Sequence, residues 1–307
     1  MISSSLPLLE DESGPLAAAL TERGGLPEVH AWNATGVPWS DYDLVVLTST
    51  WGHNDHREEF LQWCTTVPRL TNPANVIRWN SDKHYLQPLS EHGLPTIETT
   101  WLEPDRNYNK RDLHNRFPAQ EEFVIKPAVA ISAHGSGRYT ATDADSRRYA
   151  INHAHRLLGE GHSVMVQRYI PEIDSHGEIS LTFFHGTYSH AVRKEPMLSP
   201  GSEVVNTSSM AAEVSAHRAS NVEIEAAQTA LAFARARIPG RSVTSRPLLY
   251  AQVDLVRPSD GPPLIMELEL TASFVHESCS PGALARFADA IMAEARMGPD
   301  SQNIDLA

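Results

Sequence analysis

Hydrophobic positions change their period along the chain. "GPLAAALTERGG" (14–25) has the spacing of a short helix closed by glycine. "YDLVVLTSTW" (42–51) is a compact β-branched run, which predicts a buried strand ending in polar residues. In "HREEFLQWCTTV" (56–67), Phe60, Leu61, Cys64 and Val67 share one helical face. "NSDKHYLQPLSEHG" (80–93) predicts a helix capped by Asn80 or Ser81, and "LPTIETTWL" (94–102) a further strand. Strands alternating with helices predict a parallel sheet in this part.

From residue 121 the rhythm changes. "EEFVIKPAVAISAHGSGRYTAT" (121–142) reads as strand, small-residue loop, strand, and "DADSRRYAINHAHRLLGEGHS" (143–163) as a helix. "VMVQRYIPE", "EISLTFFHGTYSHAVRKEP", "LLYAQVDLV" and "PPLIMELEL" are strands, with turn signals at His185-Gly186 and Ser259-Asp260-Gly261. Such runs predict a largely antiparallel sheet. "NVEIEAAQTALAFARARI" (221–238) is a helix, and so is "PGALARFADAIMAEARM" (281–297), with Pro281 near its start. The stretch 197–220 reads as a long loop, and the tail from Gly298 as frayed.

Composition narrows the classes of function. The 307 residues are 41% hydrophobic, enough for a core divided among two or three domains. A net charge of -13 without a basic run argues against DNA or an anionic membrane as partner. Cys64 and Cys279 are far apart and form no disulfide framework or CxxC site. No apolar run reaches the roughly 18 residues of a membrane span, and "MISSSLP" has neither a basic start nor an apolar core. A cytoplasmic protein is the expectation. The same opening is short and polar for a first strand.

Two places carry candidate chemistry. In "LIMELEL" (264–270), Glu267 and Glu269 alternate with apolar residues, so one strand face carries two carboxylates. Asp254 lies on the preceding strand, one short turn away, and a hairpin can bring the three together. Three close carboxylates need a cation, and oxygen donors suit Mg²⁺; a solvated hairpin face would show the same pattern. The second place is Lys126, which ends an apolar strand before the small-residue loop 128–137. Such a loop lets backbone N–H groups approach phosphate, although it is no Walker motif and a plain hairpin turn would look similar.

The order of these pieces, with "RWNSDKHYL", "VIKPAV", "SHAVRK" and "VDLV…LIMELELT", resembles the ATP-grasp superfamily from about Tyr42 to Ala288. Within it the chain is most similar to the branch with the O-ureido-serine cyclo-ligase of cycloserine biosynthesis and the glutathione-synthetase-like ATP-binding domains. The resemblance implies an α/β (α+β) fold. An N-terminal α/β domain (1–82) would precede a central lid (83–170) and a C-terminal subdomain with the metal site (171–300), which clamp ATP between them; 301–307 would be a tail.

It also implies roles. Lys83 and Lys126 would contact phosphate, Lys126 counting among the catalytic residues. Gln167 would face the adenine amino group, and Arg168, Tyr169 and Ile170 would read the ring edge through their backbone. Glu178 would bind ribose. Asp254, Glu267 and Glu269 would hold two Mg²⁺ ions, with Mn²⁺ as an alternative. Arg193 would steady an acyl phosphate and its tetrahedral intermediate. The implied activity is ATP-dependent amide formation between small carboxylate and amine substrates. An intramolecular cyclo-ligase and a non-catalytic nucleotide binder are the alternatives. A homodimer enters only as a prior. Departures from the family pattern fall at Gln252, where an Arg is usual, and in 48–53 and 271–274 beside the expected acceptor pocket.

Overall fold

The computed structural model describes residues 2–3 (as backbone), 12–48, 56–130, 133–199, 212–272 and 274–297. Residues 49–53 of the altered 48–53 segment, Ser273, part of the 128–137 loop, 200–211 and the tail from Gly298 lie outside the described residues.

The first unit contains β1 (Ile2–Ser3), α1 (Ser13–Glu22), β2 (Val29–His30), β3 (Val45–Leu47), α2 (Arg57–Thr66), β4 (Leu70–Thr71) and α3 (Ala74–Asn80). Its sheet has the order β2-β1-β3-β4 and every pairing is parallel, as the strand–helix alternation predicts. The short polar opening supplies two residues to an inner strand. β3 is buried throughout because helices cover a parallel sheet. α2 presents Phe60, Leu61 and Cys64 to Trp32, Val45, Leu47 and Leu70. Burial pushes the Cys64 thiol up to about 12, so it packs as a small hydrophobe.

The second unit holds α4 (Leu86–Glu91), β5 (Thr99–Leu102), α5 (Lys110–Arg116), β6 (Glu122–Pro127), β7 (Gly137–Thr140), α6 (Ala144–Gly159) and β8 (Val164–Arg168). The order is β5-β8-β6-β7, all antiparallel. β5 is the strand expected to extend the parallel sheet; it pairs with β8 instead. Alternation on β6 sends Phe123 and Ile125 into the core with α6, and Val124 and Lys126 to the opposite face.

The third unit comprises α7 (Ile173–His176), β9 (Glu178–Phe184), β10 (Thr187–Lys194), β11 (Val214–His217), α8 (Asn221–Arg237), β12 (Tyr250–Val256), β13 (Leu264–Glu269) and α9 (Ala283–Arg296). Its antiparallel sheet runs β11-β10-β9-β12-β13. β11 falls within 197–220, so that stretch is not wholly loop. His185 and Gly186 both adopt positive φ, as a two-residue hairpin turn requires. α8 starts with a capping box between Ser220 and Glu223 and buries Ala227, Ala230 and Ala234, small residues that let it lie close on the sheet.

One face of this sheet, with Leu181, Phe183, Val253, Leu255 and Leu268, packs on α8. Tyr85, Leu86 and Leu89 join the same core, so α4 packs on the third unit. The other face carries Glu178, Lys194, Gln252 and Asp254, and looks toward β6 and β8.

Candidate active site

Between the second and third sheets lies a cavity of about 280 Å³. From the second sheet come Val124, Lys126 and Gln167; from the third, Glu178, Lys194, Gln252, Asp254, Glu267 and Glu269. Lys83, Tyr169 and Ile170 also line it.

The carboxylates share a face for a local reason. β12 and β13 pair Asp254 with Glu267 and Gln252 with Glu269. A register shift after Asp254 keeps these pairs opposed while Met266 takes up the extra residue. The free edge of β13 is covered by side chains. Asn80 donates to the Leu268 carbonyl and accepts from the Leu270 amide, each at 2.8 Å. The Tyr85 hydroxyl donates to the Leu268 carbonyl at 3.1 Å and accepts from its amide at 2.9 Å. Asn80 therefore ends α3 and braces the edge. The cap of the next turn is Asp82, which accepts from the His84 amide.

That turn delivers Lys83. Its ammonium lies 3.0 Å from Glu267 and 2.6 Å from the Ala130 carbonyl, and it is 5% exposed. Lys126 approaches the same group from β6. Burial lowers its pKa; Glu267 raises it and neighbouring Lys83 lowers it. Asp254 accepts from Ser180 Oγ at 2.5 Å, Lys194 Nζ at 2.8 Å and Gln252 Nε2 at 3.0 Å. Glu269 accepts from the amides of Thr271 and Ala272.

Arg193, expected at the reacting centre, is placed elsewhere. Successive residues of a strand face opposite ways. Lys194 points into the cavity, while Arg193 pairs with Glu195 at 2.8 Å, packs against Gly177 and does not line the cavity. Lys194 is the cation that the sequence reading missed, although it stands next to Arg193 in "VRK". Burial alone would lower its pKa, but Asp254 and Glu178 outweigh burial and hold it above the ordinary value.

The remaining expected residues gather at the junction of the two sheets. Gln167 is buried and donates to Thr99 Oγ1 at 2.8 Å. Tyr169 and Ile170 pack with Val124 and Val256. Arg168 turns its side chain outward to Glu121. Glu178 begins β9 opposite Lys194. Arg138 braces this corner: it is 2% exposed, sits 3.5 Å from the Tyr169 ring centre, and pairs with Glu122 and Asp174.

Among the described residues, no three His, Cys, Asp or Glu side chains form a group that could hold a metal ion. Asp254 and Glu267 are drawn to Lys194 and Lys83 instead. The donor set still fits a hard cation: three carboxylates line one wall, and two acidic groups there resist ionisation. Glu178 and Glu269 are each pushed up to about 7, by burial first. Lys194 then pulls Glu178 down against Asp254, and the Thr271 amide pulls Glu269 down against Glu267. A cation would relieve this crowding.

This gives a pH signature. A folded pKa of about 7 above an ordinary 4.5 means stability is fully present below 4.5 and is lost as pH rises through 7. Denaturant unfolding of the ligand-free protein across that window should show falling stability, with a shallower fall in Glu269→Gln. An identical slope in that variant would contradict the burial of this carboxyl.

The comparisons with known proteins agree with this architecture. The family described as the N-terminal domain of D-cycloserine synthetase DcsG matches residues 1–75. The cycloserine biosynthesis protein DcsG of Streptomyces lavendulae is 36% identical over 293 residues, covering 94% of each chain. The chain belongs to the ATP-grasp ligases, in the cycloserine-synthetase branch. A crystal structure of D-cycloserine synthetase DcsG superposes with a TM-score of 0.83 at 34% identity, over 96% of this chain and 98% of that one. A D-alanine–D-alanine ligase from Bacillus anthracis shares the fold at 15% identity and a TM-score of 0.60, over 96% of this chain and 95% of that one. As an ATP-grasp ligase the protein is an enzyme that forms carbon–nitrogen bonds. No helix among the described residues is long and apolar enough to cross a membrane.

Proposed function

We propose that this ATP-grasp ligase closes a ring within one small amino-acid-like molecule, as an ATP-dependent cyclo-ligase of the cycloserine type. The observation that carries the reading is the identity to a cycloserine biosynthesis protein across 94% of both chains. Joining a separate acid and amine, the broader expectation, draws only on fold-level likeness to ligases at about 15% identity.

The residues divide the work by charge. A carboxylate resists nucleophiles until its oxygen carries a phosphoryl group. Lys83, Lys126 and Lys194 bring three ammoniums to one cavity, which suits a triphosphate. Gln167 and the backbone of Arg168 to Ile170 would hold the adenine, and Glu178 the ribose. Asp254, Glu267 and Glu269 would hold Mg²⁺, two ions being the expectation; when bound, the metal neutralises phosphate charge. The substrate's own nitrogen would then attack its acyl phosphate and expel phosphate. Neither step uses a side-chain nucleophile.

The test is O-ureido-serine as the single organic substrate, with ATP and Mg²⁺. ADP, phosphate and a cyclic product detected by mass spectrometry, without added amine, are the expected result. Turnover that requires a second amine would move the assignment to intermolecular amide formation. Nucleotide binding without turnover would make the protein a binder.

A further inference from the structure

Strand register sets Thr99 of β5 opposite Gln167 of β8, and Gln167 opposite Val124 of β6. Paired residues share a face, so all three stand on the side of the sheet where the cavity lies. The cavity walls at this end are apolar: Ile97, Val124, Ile173, Leu198 and Met266. Gln167 brings a primary amide into these surroundings and is 4% exposed.

A primary amide can sit either way round, with its donor or its acceptor end toward a neighbour. Here two linked hydrogen bonds decide. Thr99 Oγ1 lies 2.9 Å from the Ile97 carbonyl oxygen. A carbonyl has no proton to give, so the Thr99 hydroxyl donates its own proton there. The same Oγ1 stands 2.8 Å from the Gln167 amide and has only lone pairs left to offer. It therefore takes Nε2 as its donor, and Oε1 is turned away from it. Oε1 has no hydrogen-bond partner among the described residues and is not one of the enclosed polar atoms, so it opens onto the cavity that Gln167 lines.

The geometry points to Thr99 as a positioning residue for base recognition: by fixing the Gln167 amide with its oxygen toward the cavity, it selects a purine with a 6-amino group over one with a 6-oxo group. The inference rests on the nucleotide site proposed above and not on ring closure. A 6-amino group donates to Oε1. A 6-oxo group would set two acceptor oxygens against each other, or turn the amide over and break its bond to Thr99. Either way a buried polar group is left unmatched. Thr99 does not itself line the cavity, so it acts through Gln167.

The test measures binding of ATP and of inosine triphosphate (ITP), each with Mg²⁺, by calorimetry and without an organic substrate. The two differ at the 6-position and in the N1 proton that accompanies the 6-oxo group. Wild type should prefer ATP by about tenfold or more. Thr99→Val keeps the side-chain shape and suits a strand, but frees the amide to turn. It should bind ITP about tenfold more tightly than wild type does, the size of one hydrogen bond, and gain nothing toward ATP. Thr99→Ser should restore the wild-type preference. Adding Thr99→Val to Gln167→Leu should leave the preference of Gln167→Leu where it is, because the two side chains act as one unit. A mere packing loss would weaken both nucleotides and give ITP no gain. Unchanged ITP affinity in Thr99→Val, or a further shift in the double variant, overturns the assignment while ATP binding by wild type upholds the nucleotide site. Wild type that binds neither nucleotide removes the site, and this assignment with it.

Discussion

Glu267→Gln should lower turnover by a hundredfold or more, on the order seen when one preorganised charge-stabilising group is removed from a reacting centre. Glu267 is placed to serve two partners. It holds the Lys83 ammonium at 3.0 Å and stands opposite Asp254 on the wall where a divalent cation fits. Glutamine keeps the shape and one acceptor oxygen but removes the charge that both partners require. The KM for Mg-ATP should therefore rise as kcat falls, and extra Mg²⁺ should restore little. Folding should suffer much less. Breaking a fully buried ion pair costs about 3–5 kcal/mol, but Glu267 is partly reached by water and Lys83 retains the Ala130 carbonyl, so the loss falls below that range. Steady-state kinetics with a parallel thermal melt separates the two. A wild-type rate at saturating Mg²⁺ would remove Glu267 from the site.

The second large effect contrasts neighbours. Lys194→Met should cut kcat by about a hundredfold, whereas Arg193→Met should change it by no more than a few fold. The side chains differ in direction. Lys194 Nζ reaches Asp254 at 2.8 Å inside the cavity; Arg193 pairs with Glu195 outside it. Lys194→Met also leaves Asp254 without its cation, so Mg-ATP should stabilise this variant more strongly than wild type. The reverse ranking of the two rates would return the catalytic cation to Arg193. Both variants retain an unbranched apolar stem, so their melting temperatures check that folding is preserved.

Elements whose pattern depends on near neighbours were readable in one dimension. The helical face of Phe60, Leu61 and Cys64 is buried as its spacing implies. The positive φ of His185 and Gly186 follows from a two-residue turn. The face shared by Glu267 and Glu269 follows from strand alternation, and both line the cavity.

Other features depend on partners far away in sequence. β5 reads as a strand, but only β8, more than sixty residues later, decides which sheet it joins. Asn80 reads as a helix cap because its side chain commonly serves backbone donors; tertiary contact gives it the β13 edge instead. Arg193 and Lys194 are equally plausible cations until the register of β10 against β9 sets which one faces Asp254. No spacing marks His276, because its place depends on Glu12, more than 260 residues earlier, holding the amides on either side.

The sequence by itself determined the types of most elements though not β11, the acidic hairpin, the lysines at 83 and 126, and membership of the ATP-grasp ligases. These follow from local periodicity, turn chemistry and motif order. Only the tertiary structure decided which sheet each strand joins, which of two adjacent cations enters the cavity, and that His276 completes the lining. Each of those depends on register and on long-range hydrogen bonds, whose partners are fixed by packing and not by distance along the chain.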